Sequence, residues 1–163
     1  MSVVIRPIEE KDIREHVEVL NSVIQEREYL MYGQGELTPQ EISDFVKKTM
    51  QKGIMLVAEV DGRVVGWCDI RPGEQEKNRH VGIMGLGIHK EHRGRGIGSK
   101  LVEEALKRAK EKNLAKVELH VFATNARAHA LYKKLGLEEE GRQRRSVKIG
   151  NRLIDSILMG KFL

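Results

Sequence analysis

Arg93-Gly94-Arg95-Gly96-Ile97-Gly98-Ser99 is the stretch whose reading decides the fold. Before it, Val81 to Ile88 is rich in Val, Ile, Met and Leu and reads as a strand, although Gly82, Gly85 and Gly87 interrupt it. After it, Ile97, Leu101, Val102, Ala105, Leu106 and Ala109 recur at helical spacing. The first amides of a helix have no acceptor within it, and the helix dipole adds partial positive charge there. Glycines at such a junction let a ligand approach the main chain, so strand, glycine loop and helix together suggest an anion site. Arg93 and Arg95 would add charge-assisted donors. The same spacing also fits a solvated turn with a flexible helix start, and spacing alone does not separate the two readings.

The loop also indicates which anions it is not built for. A dinucleotide fingerprint needs G-x-G-x-x-G, and Gly94 to Ser99 ends on serine. A P-loop needs Gly-Lys-Ser/Thr, whereas Gly98 is followed by Ser99 and then Lys100.

Working outward, Val3 to Arg6 reads as a strand, and Ile13, Val17, Leu20 and Ile24 imply a first amphipathic helix. Thr38-Pro39-Gln40-Glu41 is a capping box with proline at the first helical position. It opens a second helix with an apolar face of Ile42, Phe45, Val46 and Met50 that stops at Gly53. Ile54 to Ile70 holds two strand-like runs turning at Asp61-Gly62. Glycine inside the next strand marks a bulge or a backbone that something approaches closely. Val117 to Ala123 reads as a strand, and right-handed crossover makes it a parallel neighbour of the run before the glycine loop. Asn125 caps a further helix whose Ala128, Leu131, Tyr132 and Leu135 share a face, and Gly136 stops it. Two last strands, Leu137 to Ile149 and Leu153 to Phe162, turn at Gly150-Asn151. The expected order is β-α-α-β-β-β-α-β-α-β-β in one domain over residues 1–163, with a mixed sheet.

A chain of 163 residues buries enough apolar surface to fold without staples. No apolar run of membrane-spanning length occurs, and acidic residues interrupt the N-terminus where a signal peptide would continue its apolar core, so a cytoplasmic location is expected. The single cysteine, Cys68, excludes an internal disulfide and argues against a thiolate metal cluster; it reads as a buried bystander. His89 and His92 lack further ligands nearby, and no metal is expected. The net charge of +5 favours anionic partners, but the signs alternate and aromatic residues are few, which argues against nucleic acid.

Arg93, Gly96 and Gly98 meet the pattern R/Q-x-x-G-x-G/A, and Asn125-Ala126-Arg127-Ala128-His129-Ala130-Leu131-Tyr132 followed by Gly136-Leu137 is similar to N-x-x-A-x-x-L-Y-x-x-x-G-F. On these residues the chain resembles the GNAT superfamily of N-acetyltransferases nearly end to end, departing at Leu137, where an aromatic residue is usual. The resemblance implies an α/β fold with a seven-stranded, mostly antiparallel sheet flanked by about four helices, and acetyl-coenzyme A as co-substrate. It also implies that the pantetheine arm pairs with Leu86, Gly87 and Ile88, as an added strand would. The diphosphate would sit on the amides of Arg93, Gly94, Arg95, Gly96, Ile97, Gly98 and Ser99, and Asn125 would reach the coenzyme.

The family reaction is direct attack of a neutral amine on the thioester, and the resemblance makes Tyr132 the acid that protonates the departing thiolate. Tyr132 also fits a purely core position on the apolar face of its helix. For the base that deprotonates the amine, Glu118, His120 and Glu28 are candidates. The C-terminal half looks most like the branch that acetylates free amino acids, small amines or related toxins. A protein N-terminal or lysine acetyltransferase of the ribosomal-protein type is the main alternative. A third is a non-catalytic acyl-CoA-binding regulator, against which the intact Tyr132 argues. A homodimer is expected from family habit.

Overall fold

Apolar residues at alternating and helical spacings sort this chain into a central sheet with helices on both faces. The computed structural model describes residues 2–163. Its strands are β1 (Val3–Pro7), β2 (Ile54–Val60), β3 (Arg63–Pro72), β4 (Val81–Ile88), β5 (Lys116–Phe122), β6 (Glu138–Ile149) and β7 (Arg152–Phe162). Its α-helices are α1 (Ile13–Gln25), α2 (Pro39–Lys52), α3 (Ile97–Glu111) and α4 (Ala126–Lys134), with short 3-10 turns at Glu10–Asp12 and Lys90–His92. The order of elements is the one expected from the sequence. The seven strands form one sheet in the order β1-β2-β3-β4-β5-β7-β6, antiparallel throughout except between β4 and β5.

The two faces of the sheet carry separate cores. Leu56, Cys68, Ile70, Val117 and Met159 pack against Leu101, Val102, Ala105 and Ala109 of α3. On the opposite face Val57, Val64 and Trp67 pack against Val19 and Val23 of α1 and Ile42 and Val46 of α2. Helix α2 starts as the sequence dictates, with the Thr38 side chain accepting from Glu41 N and Glu41 reaching back to Thr38 N at 2.8 Å. Its apolar stripe is narrower than the sequence suggests. Phe45 and Met50 are exposed, and Thr49 takes the buried place because its hydroxyl donates to the Phe45 carbonyl at 2.8 Å.

Edge strand β6 is exposed along almost its whole length and is bulged between Gln143 and Val147. Asp155 of β7 holds the bulge, accepting from Arg142 Nε at 2.7 Å and from Arg145 N at 2.8 Å.

His16 of α1 is 2% exposed, its ring edge-on to Trp67 with centroids 5.2 Å apart and its Nδ1 without a hydrogen-bond partner. Burial pushes its pKa down to about 4, so the folded chain keeps it neutral. Between the ordinary histidine pKa of about 6.5 and this value, the unfolded chain binds a proton that the folded chain refuses. Stability from this site is therefore complete above pH 6.5 and falls by about 3 kcal/mol as the pH drops to 4. Denaturant midpoints measured across this window should show that slope in the native chain and a flatter one in His16→Phe. An equal slope in both would assign the acid sensitivity elsewhere.

Candidate functional site

Strands β4 and β5 pair in parallel only through Val81↔Lys116, Gly82↔Val117 and Ile83↔Glu118. Beyond Ile83, β4 stays paired with β3 as far as Ile88, but β5 has left its other side. Alternate main-chain groups of Met84 to Ile88 therefore face a gap and not a neighbouring strand. The gap opens into a cleft of about 1030 Å³ that runs from Arg71 and Ile83 past Leu86 to the start of α3 and across to Tyr132.

The glycine loop closes one end. Gly94 and Gly96 hold φ of +73° and +76°, a left-handed conformation that side chains disfavour, and nothing lies within 4 Å of where a Cβ would be at either. The first bond of the helix runs from Lys100 N to Gly96 O at 3.2 Å, which leaves the amides of Ile97, Gly98 and Ser99 without acceptors inside α3. Across the cleft, Asn125 caps α4 by accepting from Ala128 N at 3.2 Å. That cap aims the next turn so that Leu131 packs beneath Gly98 and Tyr132 lines the cleft.

The cleft brings together Leu86, Gly87, Ile88, Arg93, Gly94, Gly96, Ile97, Gly98, Ser99, Asn125 and Tyr132. Arg95 is exposed and does not line it. The Arg93 side chain does not do what its place in the motif suggests. Its two terminal nitrogens donate to Glu26 at 3.0 and 2.6 Å, its Nε donates to the Ile88 carbonyl at 2.9 Å, and its guanidinium lies 5.0 Å over the Tyr29 ring. Arg93 thus ties the end of α1 to the end of β4. With Arg93 engaged in this way, what the loop itself offers an anion is the acceptor-free amides of Ile97, Gly98 and Ser99.

Tyr132 is 7% exposed, and burial, followed by the proximity of Cys68 and Asp69, raises its phenol well above its ordinary pKa. The hydroxyl therefore keeps its proton throughout the neutral and mildly alkaline range. Cys68 is fully buried and its thiol is pushed up by burial and by Asp69, a setting that disfavours a nucleophilic thiolate.

Of the residues considered for removing the amine proton, His120 lines the cleft, with Nδ1 3.4 Å from Ser156 Oγ. Glu118 is ion-paired with Lys116 at 3.3 Å, and Glu28 with Arg152 at 2.8 Å. His89 and His92 stand edge-on with centroids 6.1 Å apart, and no group of three or more potential metal ligands occurs among the described residues. Among the described residues no helix is long and apolar enough to cross a membrane.

Sequence reasoning missed Arg71 at the far end of the cleft and the buried side chains beside it on β3. Trp67, Asp69 and Arg71 alternate along β3 onto the face that carries α1 and α2, opposite Gly87, Gly85 and Ile83 of β4. A Cβ on Gly87 would lie 2.1 Å from Trp67 Cη2, and one on Gly85 would lie 2.7 Å from Asp69 Oδ1. The glycines of β4 therefore make room for these side chains to lie over the strand. Trp67 Nε1 donates to Asp69 Oδ1 at 3.1 Å, and burial raises the Asp69 carboxyl above its ordinary pKa. The alternation of tryptophan, aspartate and arginine in an otherwise apolar strand was the available signal.

The sequence matches the model of the acetyltransferase (GNAT) family over residues 21–137. It is 31% identical over 107 residues to the L-amino acid N-acetyltransferase AaaT of Escherichia coli, covering 65% of this chain and 66% of that protein. Against three such curated relatives the match spans between 54% and 66% of their own length. Among solved structures, the acetyltransferase of the GNAT family from Streptococcus pneumoniae superposes with a TM-score of 0.92 at 33% identity, covering 99% of this chain and 100% of that one. Ribosomal-protein-alanine N-acetyltransferase from Brucella melitensis does so with a TM-score of 0.90 at 25% identity, covering 98% and 99%. A family match running from within α1 to the residue before β6, on a fold shared end to end with a 33% identical relative, makes this chain a member of the acetyltransferase (GNAT) family.

Proposed function

We propose that the protein transfers an acetyl group from acetyl-CoA directly to the amine of a small molecule, of which a free amino acid is the leading kind. The observation that carries this reading is the parting of β4 from β5 beside acceptor-free amides at the start of α3, with a buried protonated phenol across the gap. The residues fit the coenzyme. Main-chain groups of Leu86, Gly87 and Ile88 would hold the pantetheine amides as a neighbouring strand would. The amides from Gly94 to Ser99 would hold the diphosphate in a loop that offers open space at Gly94 and Gly96. Arg127, at the start of α4, also lines the cleft and adds positive charge.

Bound acetyl-CoA supplies an acetyl group already activated as a thioester. The amides of β4 stabilise negative charge developing on a carbonyl oxygen placed against them. Tyr132 holds a proton at its hydroxyl, available to a leaving sulfur. His120, which lines the cleft, would take the amine proton, directly or through water. The E. coli relative named an L-amino acid N-acetyltransferase supports an amino-acid acceptor.

The test is to mix the protein with acetyl-CoA and a panel of amines and follow release of free thiol. Release that depends on a small amine is expected. Coenzyme binding without release on any amine, or release confined to peptide N-termini, would overturn this reading in favour of an acyl-CoA-binding protein or a protein acetyltransferase, respectively.

A further inference from the structure

The walls of the cleft are one-sided in charge. Arginine, lysine and histidine contribute to its lining, and among the described residues no aspartate or glutamate does. Most of these basic side chains lie toward the coenzyme end: Lys90, His92 and Arg93 flank the glycine loop and Arg127 starts α4. Arg71 lies at the other end. Its cross-strand partner is Ile83, five residues before Ile88, and at the rise of an extended strand that is roughly 16 Å of β4. Arg71 therefore stands well away from the diphosphate corner, on the face of the sheet that carries His120, Gln143 and Ser156.

Arg71 is also held in place. Its Nε is buried and ion-paired with Asp69 Oδ2 at 3.0 Å, without hydrogen-bond geometry, while 42% of its side chain remains exposed. The guanidinium lies 5.2 Å over the ring of Phe45 from α2. Asp69 is in turn held by Trp67 Nε1, and its side chain is 6% exposed. Burying a carboxylate is costly, and here the buried carboxylate orients a cation whose remaining surface faces the cleft. A guanidinium anchored through one edge keeps a second edge for a planar anion, the geometry in which arginine binds carboxylates.

Resting on acetyl transfer as the function, we propose that Arg71 binds an anionic group of the acceptor, with Asp69 as its positioning residue, so that the acceptors are amines that carry a carboxylate. Polyamines and other purely cationic amines meet a cation at this end and no carboxylate among the residues that line the cleft.

The experiment uses the full chain, acetyl-CoA and matched acceptor pairs, each an amino acid and the amine left by its decarboxylation, with a tripeptide starting in alanine alongside. The native protein is expected to favour the carboxylated member of a pair by about 10-fold to 100-fold in kcat/KM, the range for losing one charge-assisted contact. Arg71→Gln is expected to bring that ratio close to one through the acceptor KM, with the KM for acetyl-CoA unchanged, and Arg71→Lys should restore part of the preference. Equal or better use of the decarboxylated amine or the tripeptide by the native protein, or an intact ratio in Arg71→Gln, would overturn the proposal while leaving acetyl transfer standing. If no amine is turned over, acetyl transfer itself falls. The anion site is then decided by thermal melting with the carboxylated member: a rise in Tm in the native protein that Arg71→Gln abolishes supports it, and no rise sinks it.

Discussion

Tyr132→Phe is expected to lower the rate of acetyl transfer by about 100-fold to 10,000-fold, the range over which a positioned general acid contributes, while the affinity for acetyl-CoA stays within about twofold. The substitution removes one hydroxyl and keeps the ring that fills the core between α4 and the sheet. Its effect should therefore fall on the proton and not on the fold. The surroundings of the phenol make this a sharp test. Burial raises its pKa above the ordinary tyrosine value, so the acid form persists into alkaline solution, and turnover should not decline on account of Tyr132 as the pH approaches 10. Single-turnover measurement of thiol release isolates the chemical step from product release. An unchanged single-turnover rate in Tyr132→Phe would reduce this residue to packing.

The second large effect is expected at the glycine loop. Gly96→Glu should weaken acetyl-CoA binding by more than about 100-fold, as read by calorimetric titration. Two causes act together. A side chain at φ +76° costs about 1–2 kcal/mol, and a carboxylate at the start of α3 competes for the amides proposed to hold the diphosphate and repels it. Gly96→Ala separates the two, since nothing lies within 4 Å of the new methyl group. It should show the backbone cost in a lowered Tm with less than about a tenfold loss of affinity. Native affinity in Gly96→Glu would move the diphosphate to another place.

The elements of the fold were legible because each carries its own local signal. The Thr38 to Glu41 capping box, the Asp61-Gly62 turn and the helical recurrence from Ile97 to Ala109 all act within a few residues of chain, and the structure follows them. The glycines of β4 were legible as a closely approached backbone, though not what approaches it: on one face that is Trp67 and Asp69 from β3. Long-range pairings had no such signal. Glu26 claims Arg93 from 67 residues away, and Arg152 claims Glu28 from 124 residues away, so neither charge stands where its local sequence places it. Asp69 and Arg71 were not legible because polar residues on a strand read as solvent-facing, and only the folded chain buries Asp69 and lays Arg71 over Phe45 of α2.

The bulge in β6 bears on how these molecules behave when crowded. A twelve-residue outer strand with open hydrogen-bonding groups is a template for recruiting another chain, the first step toward stacked aggregates. Here the Asp155 clamp interrupts the regular spacing that an incoming strand would need, and Arg142, Arg144, Arg145 and Lys148 load the same stretch with charge. An approaching copy meets an irregular rim, acidic from Glu138 to Glu140 and basic from Arg142 onward, that offers no continuous ladder, which should keep the protein dispersed at concentrations where a flat, apolar rim would precipitate.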